Sequence, residues 1–328
     1  DIVSTANSVT YTTATKLTDG FASYSFRVQA YYDLSPGSAS NIKSVTYTGH
    51  LNHVGTISPS GDDALKNPQG AAISDSGNIF VADTENHRIS QFNSSGTFIK
   101  AFGTQGNGNW NFSLPRGIDI KSDDTMYVAD SNNDRVVFFK PSQASSGSFQ
   151  AVSTGTTFNY PSDVAIDQGT GAIVVTDQNS NKIQLTVDGS TWVKFGSFGS
   201  GSTQFQGPQA AVSDGSNVFV LDKGNARVAV YSTAGAIQSV IGSFGTALGK
   251  LNAPTGIAVD TVNNEIYVAD TGNNRIQVFN YSGTLIANWG IAGTDAGEFD
   301  RPTAVYYKGG TLLVVDSGNN RVQVFNNQ

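Results

Sequence analysis

Six aspartates recur down the chain at intervals of 45 to 48 residues: Asp83, Asp130, Asp177, Asp222, Asp270 and Asp316. Five positions after each stands a base, Arg88, Arg135, Lys182, Arg227, Arg275 or Arg321, and three positions after each stands Asn, or Ser180 in the third copy. A ring of carboxylates could gather calcium. Here each acid has a base in its own short turn. Asp and Asn favour such turns because their side chains accept backbone N–H bonds and tolerate left-handed backbone. The repeated charges therefore read as turn staples.

Other constellations that could do chemistry are sparse. The chain has no Cys and only three His, and it contains no GxSxG elbow and no phosphate-binding loop. The Gly-rich stretch GSFGSGSTQFQG joins two repeats and does not lead from a strand into a helix. His50 and His53 sit at an odd spacing on one strand, so they point to opposite faces. His87 stands alone. No catalytic residue, metal or cofactor is expected from these residues.

The elements that position the repeated turns are strands. After Pro254 the chain reads TGIAVD, a polar NNE, IYVAD, a TGNN turn, RIQVFN, a YSG turn and TLIANWG. Short β-branched and aromatic runs bounded by Gly, Asn or Asp are antiparallel strands joined by tight turns. Four strands at a period near 46 residues make a propeller blade rather than a solenoid repeat. Six of them arranged around a channel bury each other's faces. The sixth unit stops after its third strand, RVQVFNNQ, while HLNHVGTISPSGDDALKNPQG near residue 50 matches the fourth-strand stretch TLIANWGIAGTDAGEFDRPTA. Residues 50–56 are expected to complete the sixth blade. Leu65, Phe112, Phe158, Phe205, Leu251 and Phe299, three residues before each strand-one proline, are expected to pack between blades.

The pattern Pro-x-Gly-Ile-Ala-Val-Asp, Tyr-Val-Ala-Asp, x-x-Asn-x-Arg-Ile-Gln-Val-Phe resembles the NHL repeat, over residues 45–328. That resemblance implies an all-β, six-bladed β-propeller whose last blade is closed by an N-terminal strand. It leaves function open, because NHL propellers include binding modules, sensors, RNA readers and a zinc-dependent lyase. Residues 1–44 fall outside the repeat. Their strands SVTYTTATKL, YSFRVQAYY and IKSVTYTG resemble the C-terminal half of a fibronectin type III or bacterial Ig-like domain, with Leu17 and Tyr24 at the strand end and the corner. Such a partial β-sandwich is expected to be a truncated neighbour domain or a self-assembly element.

Function is expected where copies depart from their own consensus. On the face carrying the strand-four-to-one and strand-two-to-three loops, the residues after the prolines are Gln69, Arg116, Ser162, Gln209, Thr255 and Thr303. Trp110, Tyr160, Asp163, Lys223 and Arg301 are further non-repeating additions. Aromatic and hydrogen-bonding groups of weak net charge suit a glycan or a peptide segment; the alternative is an ordinary solvated loop surface.

Charged residues make up 14% of the 328, and the formal net charge is −7. No Lys/Arg cluster stands out and six of the 19 basic residues belong to the turns, so a nucleic-acid partner is not expected. No run approaches the ~18 apolar residues of a membrane span. A chain opening on Asp1 reads as processed or truncated. Sequons at Asn93, Asn111 and Asn280 fit glycosylation in a secreted or cell-surface protein. The expectation is a non-enzymatic extracellular module, such as an adhesin or filament subunit, that binds protein or glycan through its loop face. The alternative is an extracellular propeller lyase or hydrolase with a metal in the channel.

Overall fold

The computed structural model describes residues 51–144, 149–152 and 156–326; the expectations for residues 1–44 and for His50 lie outside them. Six four-stranded antiparallel sheets stand around a central channel. Their innermost strands are Gly70–Ile73, Pro115–Ile120, Pro161–Ile166, Pro208–Ser213, Gly256–Asp260 and Pro302–Lys308, in blades one to six. Each packs against the next, and the sixth against the first. Asn52–Ile57 pairs antiparallel with Arg321–Asn326 and supplies the outer strand of blade six. Leu51 and Ile57 are buried at that junction, so ring closure joins residues from both ends of the described chain.

The second and third strands of each blade are almost wholly buried because their alternating apolar side chains meet a neighbouring blade on either face. The ring of Leu65, Phe112, Phe158, Phe205, Leu251 and Phe299 is buried throughout. These side chains are wedges between blades rather than stacking platforms.

The repeated aspartates do more than close their own turns. Asp270 Oδ1 accepts the Asn252 N–H at 2.7 Å, while Oδ2 accepts Asn273 at 2.8 Å and Arg275 Nε at 2.7 Å. Arg275 then donates to the Ala247 and Lys250 carbonyls of the loop entering the same blade. Blades one, two, four and six repeat the arrangement. Blade three departs from it. Lys182 is exposed and makes no ion pair with Asp177, whose one side-chain bond among the described residues is from Gln184 Nε2 at 2.8 Å, the bond that Gln277 and Gln323 make beside the arginine in blades five and six. Lysine's compact ammonium lacks the planar fork that lets arginine hold an acid and carbonyls at once.

A second sixfold device joins successive blades. The residue before each strand-one proline has left-handed backbone: Asn67, Leu114, Tyr160, Gly207, Ala253 and Arg301. Its N–H meets the side chain at the left-handed end of the previous blade's turn. Leu114 donates to His87 Nδ1 at 3.1 Å, Tyr160 to Asp134 at 2.7 Å, Gly207 to Asn181 at 2.9 Å, Arg301 to Asn274 at 2.8 Å and Asn67 to Asn320 at 2.8 Å. Between blades four and five that position is Ala226, whose side chain has no acceptor.

Candidate functional site

The channel has a volume of about 900 Å³ and is walled by the first strands of all six blades. An innermost strand leaves one edge of N–H and C=O groups unpaired by backbone, and such an edge must be satisfied by side chains or solvent. Hydroxyls at its loop-face end do part of this. Ser162 Oγ donates to the Gln209 carbonyl at 2.8 Å, Thr255 Oγ1 to the Thr303 carbonyl at 2.7 Å and Thr303 Oγ1 to the Pro68 carbonyl at 3.3 Å. Gln69 bonds Asn67 and, at 3.5 Å, the Ser317 hydroxyl of blade six, so four of the six polar residues that follow the prolines stitch blade to blade. Gln209 is buried.

Deeper in the channel two carboxylates break the repeat. The second residue after the proline is Gly70, Gly117, Ala210, Gly256 or Ala304 in five blades and Asp163 in blade three. The fourth is Ala72, Ala165, Val212 or Ala258 in four blades, but Asp119 in blade two and Tyr306 in blade six. Asp119 is buried; its carboxylate accepts the Ile120 and Ile166 N–H groups at 2.7 Å each and the Tyr306 hydroxyl at 3.1 Å. Asp163 Oδ2 accepts the Ala211 N–H at 3.3 Å. Its other oxygen lies 2.2 Å from where a Cβ of residue 117 would stand, so glycine is required there.

Burial disfavours the charged form of both acids. It raises Asp119 to about 6, against the opposing pull of the Ile166 and Ile120 N–H groups and Tyr306. Asp163 is raised to about 7 by burial, which outweighs the Ala211 N–H, with a further push from the Asp119 charge. Burial, then Asp119, raises the Tyr306 phenol well above its ordinary value. Near neutral pH the channel can therefore both accept and donate hydrogen bonds through carboxyl groups.

The loop-face mouth carries the opposite charge. Arg116 lines the channel, its guanidinium carbon 5.1 Å from the Tyr160 ring centre, and its buried Nε–H has no acceptor among the described residues. Lys223, in the turn of blade four, is held below its ordinary value by burial and then by the Arg116 charge. The other expected site residues lie apart. Trp110 packs on Phe149 with ring centres 4.7 Å apart, and Arg301 is exposed beside Asp300. Asn93 and Asn280 close turns between third and fourth strands through their amide oxygens. The Asn111 Nδ2 donates to Thr104 and Gln105.

Of the three His in the sequence, His87 is engaged by Leu114, and His53 lies on the outer strand of blade six against Phe325. No three His, Cys, Asp or Glu side chains among the described residues gather as a metal-binding set. No described helix is long and apolar enough to cross a membrane. Sequence reasoning placed Asp163 on the loop face and passed over Asp119 and Tyr306; the signal for both was the break in an otherwise small fourth position after the proline.

The NHL-repeat family model matches residues 65–92, 251–279 and 299–325, in blades one, five and six. No curated protein matches the chain in sequence. Among solved structures it is similar to a virginiamycin B lyase from Staphylococcus aureus, at 15% identity over 79% of this chain and 80% of that one, TM-score 0.56. A gluconolactonase from Xanthomonas campestris aligns at 13% identity over 81% and 88%, TM-score 0.61. A chain of the nidogen/laminin complex aligns at 17% over 75% and 88%, TM-score 0.58. At these identities the likeness is one of fold. The chain carries NHL repeats in blades one, five and six and folds as a six-bladed β-propeller.

Proposed function

We propose that this propeller is a non-enzymatic extracellular binding module that takes a glycan or protein ligand at the loop-face mouth of its channel. The observation that carries the reading is the convergence of Arg116, Asp163, Asp119 and Tyr306 on one channel whose wall is otherwise built mainly of small or apolar residues at those positions. Asp119 and Asp163 each bond the backbone of a neighbouring blade, but the other four blades stack without such acids, and Arg116 leaves its Nε–H unpaired in the channel wall. These groups suit a small number of oriented polar contacts to a bound molecule. The propeller of the nidogen/laminin complex is a fold-level precedent for a protein partner. The lyase and lactonase are precedents for chemistry, but their fold alone transfers no site, and no metal set is present among the described residues.

The absence of Cys makes a plug experiment clean. Gln69→Cys, labelled with a bulky maleimide, should abolish binding to arrayed glycans or peptides, while the same label on Ser94→Cys, in a turn on the opposite face, should leave it intact. Equal behaviour of the two labelled proteins, or turnover of a lactone by the unlabelled one, would overturn the reading.

A further inference from the structure

Two phenylalanines hold the same place in consecutive blades and stand largely in solvent. Phe198 is 69% exposed and Phe244 75% exposed, in the loops entering blades four and five. The backbone of Phe198 bridges to the buried wedge Phe205, and that of Phe244 to the wedge Leu251. The loops entering blades two and six make the same bridge with Gln105 and Ala292 in that place, so the loop forms without a phenyl. Neither loop is slack. The Phe205 N–H donates to the Ser197 carbonyl at 2.8 Å and the Gly199 N–H to the Phe205 carbonyl at 2.9 Å; Leu251 repeats both bonds with Ser243 and Gly245 at 2.9 and 3.0 Å. The amides of Asn225 and Asn273 hold the Gly199 and Gly245 carbonyls at 2.9 and 3.0 Å. With the backbone fixed on both sides of each phenyl, little loop entropy remains to be lost when a partner covers it.

Scattered single apolar side chains are ordinary on a protein surface. Here they gather. Leu248, 58% exposed, shares the loop of Phe244, and Val193 and Val240 are exposed on the outer strands that lead into the two loops. Of the nine large apolar side chains exposed among the described residues, six fall between Val187 and Leu248, so one sector of the ring carries most of the uncovered apolar surface.

Charge narrows what covers it. Residues 180–255 carry five bases and three acids in a chain of net charge −7. Asp222 is buried against Arg227, while Asp188 and Asp214 close turns at the opposite end of their blades. The two loops themselves hold no acid. Lys250 is exposed and donates to Ser243 Oγ at 2.7 Å, beside Phe244. Lys223 stands in the blade-four turn, whose Gly224 N–H bonds the Gln206 carbonyl of the loop entering that blade at 2.8 Å. The corresponding loops entering blades six and one carry Asp295, Glu298 and Asp300, and Asp62 and Asp63. One face is thus divided between an apolar, basic sector and an acidic one, which draws an acidic partner to the first and turns it from the second. Phe and Leu offer no hydrogen-bonding group, and Leu248 has no ring to stack on a sugar. Rigid apolar anchors with a charged flank match the side chains of a protein.

We propose that the loops entering blades four and five are a docking surface for an acidic protein segment, whose apolar side chains cover Phe198, Phe244 and Leu248 while its carboxylates face Lys223 and Lys250. The proposal rests on the loop-face binding reading and names the kind of partner.

A random-peptide phage library panned against the folded protein tests it, with phosphatidylserine/phosphatidylcholine vesicles and polygalacturonate as separate arms. The peptides selected should be rich in Asp, Glu and large apolar residues. Phe198→Ser and Phe244→Ser should each weaken a selected peptide about tenfold or more, the effect of leaving one such side chain uncovered. Lys250→Gln should weaken it about threefold, as for an exposed ion pair, and added salt should remove that difference. Melting curves guard against misfolding and should not move, because all three side chains are exposed. Failure to select any peptide, selection of basic peptides, or binding that survives both Phe variants overturns the proposal. Vesicle or polygalacturonate binding that the Phe variants abolish, or dimerisation in light scattering that they abolish, assigns the patch to lipid, to an acidic glycan or to a second copy of the chain, and each of these also overturns it. If the Gln69 plug blocks arrayed ligands that both Phe variants still bind, loop-face binding stands and only this docking surface falls.

Discussion

The Tyr306 hydroxyl donates to Asp119 Oδ1 at 3.1 Å although the two residues belong to blades six and two, with blade one between them. The contact exists because blade one presents Gly70, Ala71 and Ala72 along its inner strand, leaving room for a phenol to pass. A donor to a carboxylate favours its charged form. Tyr306→Phe should therefore move Asp119 upward from about 6, which a carboxyl-carbon NMR titration would read directly. An unchanged Asp119 titration would mean that the Ile120 N–H alone satisfies that oxygen.

The two channel acids give stability a pH dependence of definite sign. Both hold their protons more firmly in the fold, near 6 and 7, than at the ordinary value of 3.8. The folded state thus binds more protons than the unfolded chain between about pH 4 and pH 7. Stability from these groups is fully present below about pH 4 and is lost as pH rises toward 7, about 3 kcal/mol for Asp119 and about 4 kcal/mol for Asp163. Asp163→Asn removes one of the two, so its denaturation midpoint should fall less than that of the wild type between pH 5 and pH 8. Parallel curves for the two proteins would show that Asp163 titrates normally.

The interrupted inter-blade bond at Ala226 offers a gain rather than a loss. Ala226 has φ of 51°, where Asn is better tolerated than Ala, and the other five blades place His, Asp or Asn there. Ala226→Asn should supply the missing acceptor for the Ala253 N–H and stabilise the protein by about 1 kcal/mol, the usual net value of one hydrogen bond. Thermal melting would show a higher Tm. A lower one would mean that the hydrophobic neighbours of Ala226 do not admit the amide.

Blade number, strand order and ring closure were legible because the sequence repeats: Asp, Asn and Arg recur at fixed offsets, and each blade repeats the same burial pattern. The channel site was not legible in the same way. Asp119 and Tyr306 stand 187 residues apart and meet only because the ring closes, a geometric fact that no local spacing encodes. Asp163 was visible as a departure from consensus, but whether it faced loop or channel depended on inner-strand placement. His87 and Asp134 are engaged by backbone N–H groups of the residues before prolines, partners that side-chain patterns do not reveal. Lys182 carried the right charge for pairing but is exposed, which leaves Asp177 without the ion pair of the other five blades.

Closure through Asn52–Ile57 predicts different outcomes for two truncations. Removing residues 1–58 would strip the outer strand from blade six, exposing the edge of Arg321–Asn326 and the apolar surface that Leu51 and Ile57 cover. Burying one such side chain is worth about 1.5–3 kcal/mol, and an uncovered strand edge is a template for aggregation. Removing residues 1–44 leaves every one of those contacts in place. The longer truncation should therefore lose several kcal/mol in chemical denaturation, about the sum of two such side chains, and aggregate on concentration. The shorter one should keep the propeller's stability, and equal midpoints for the two would show that blade six holds its edge without the N-terminal strand.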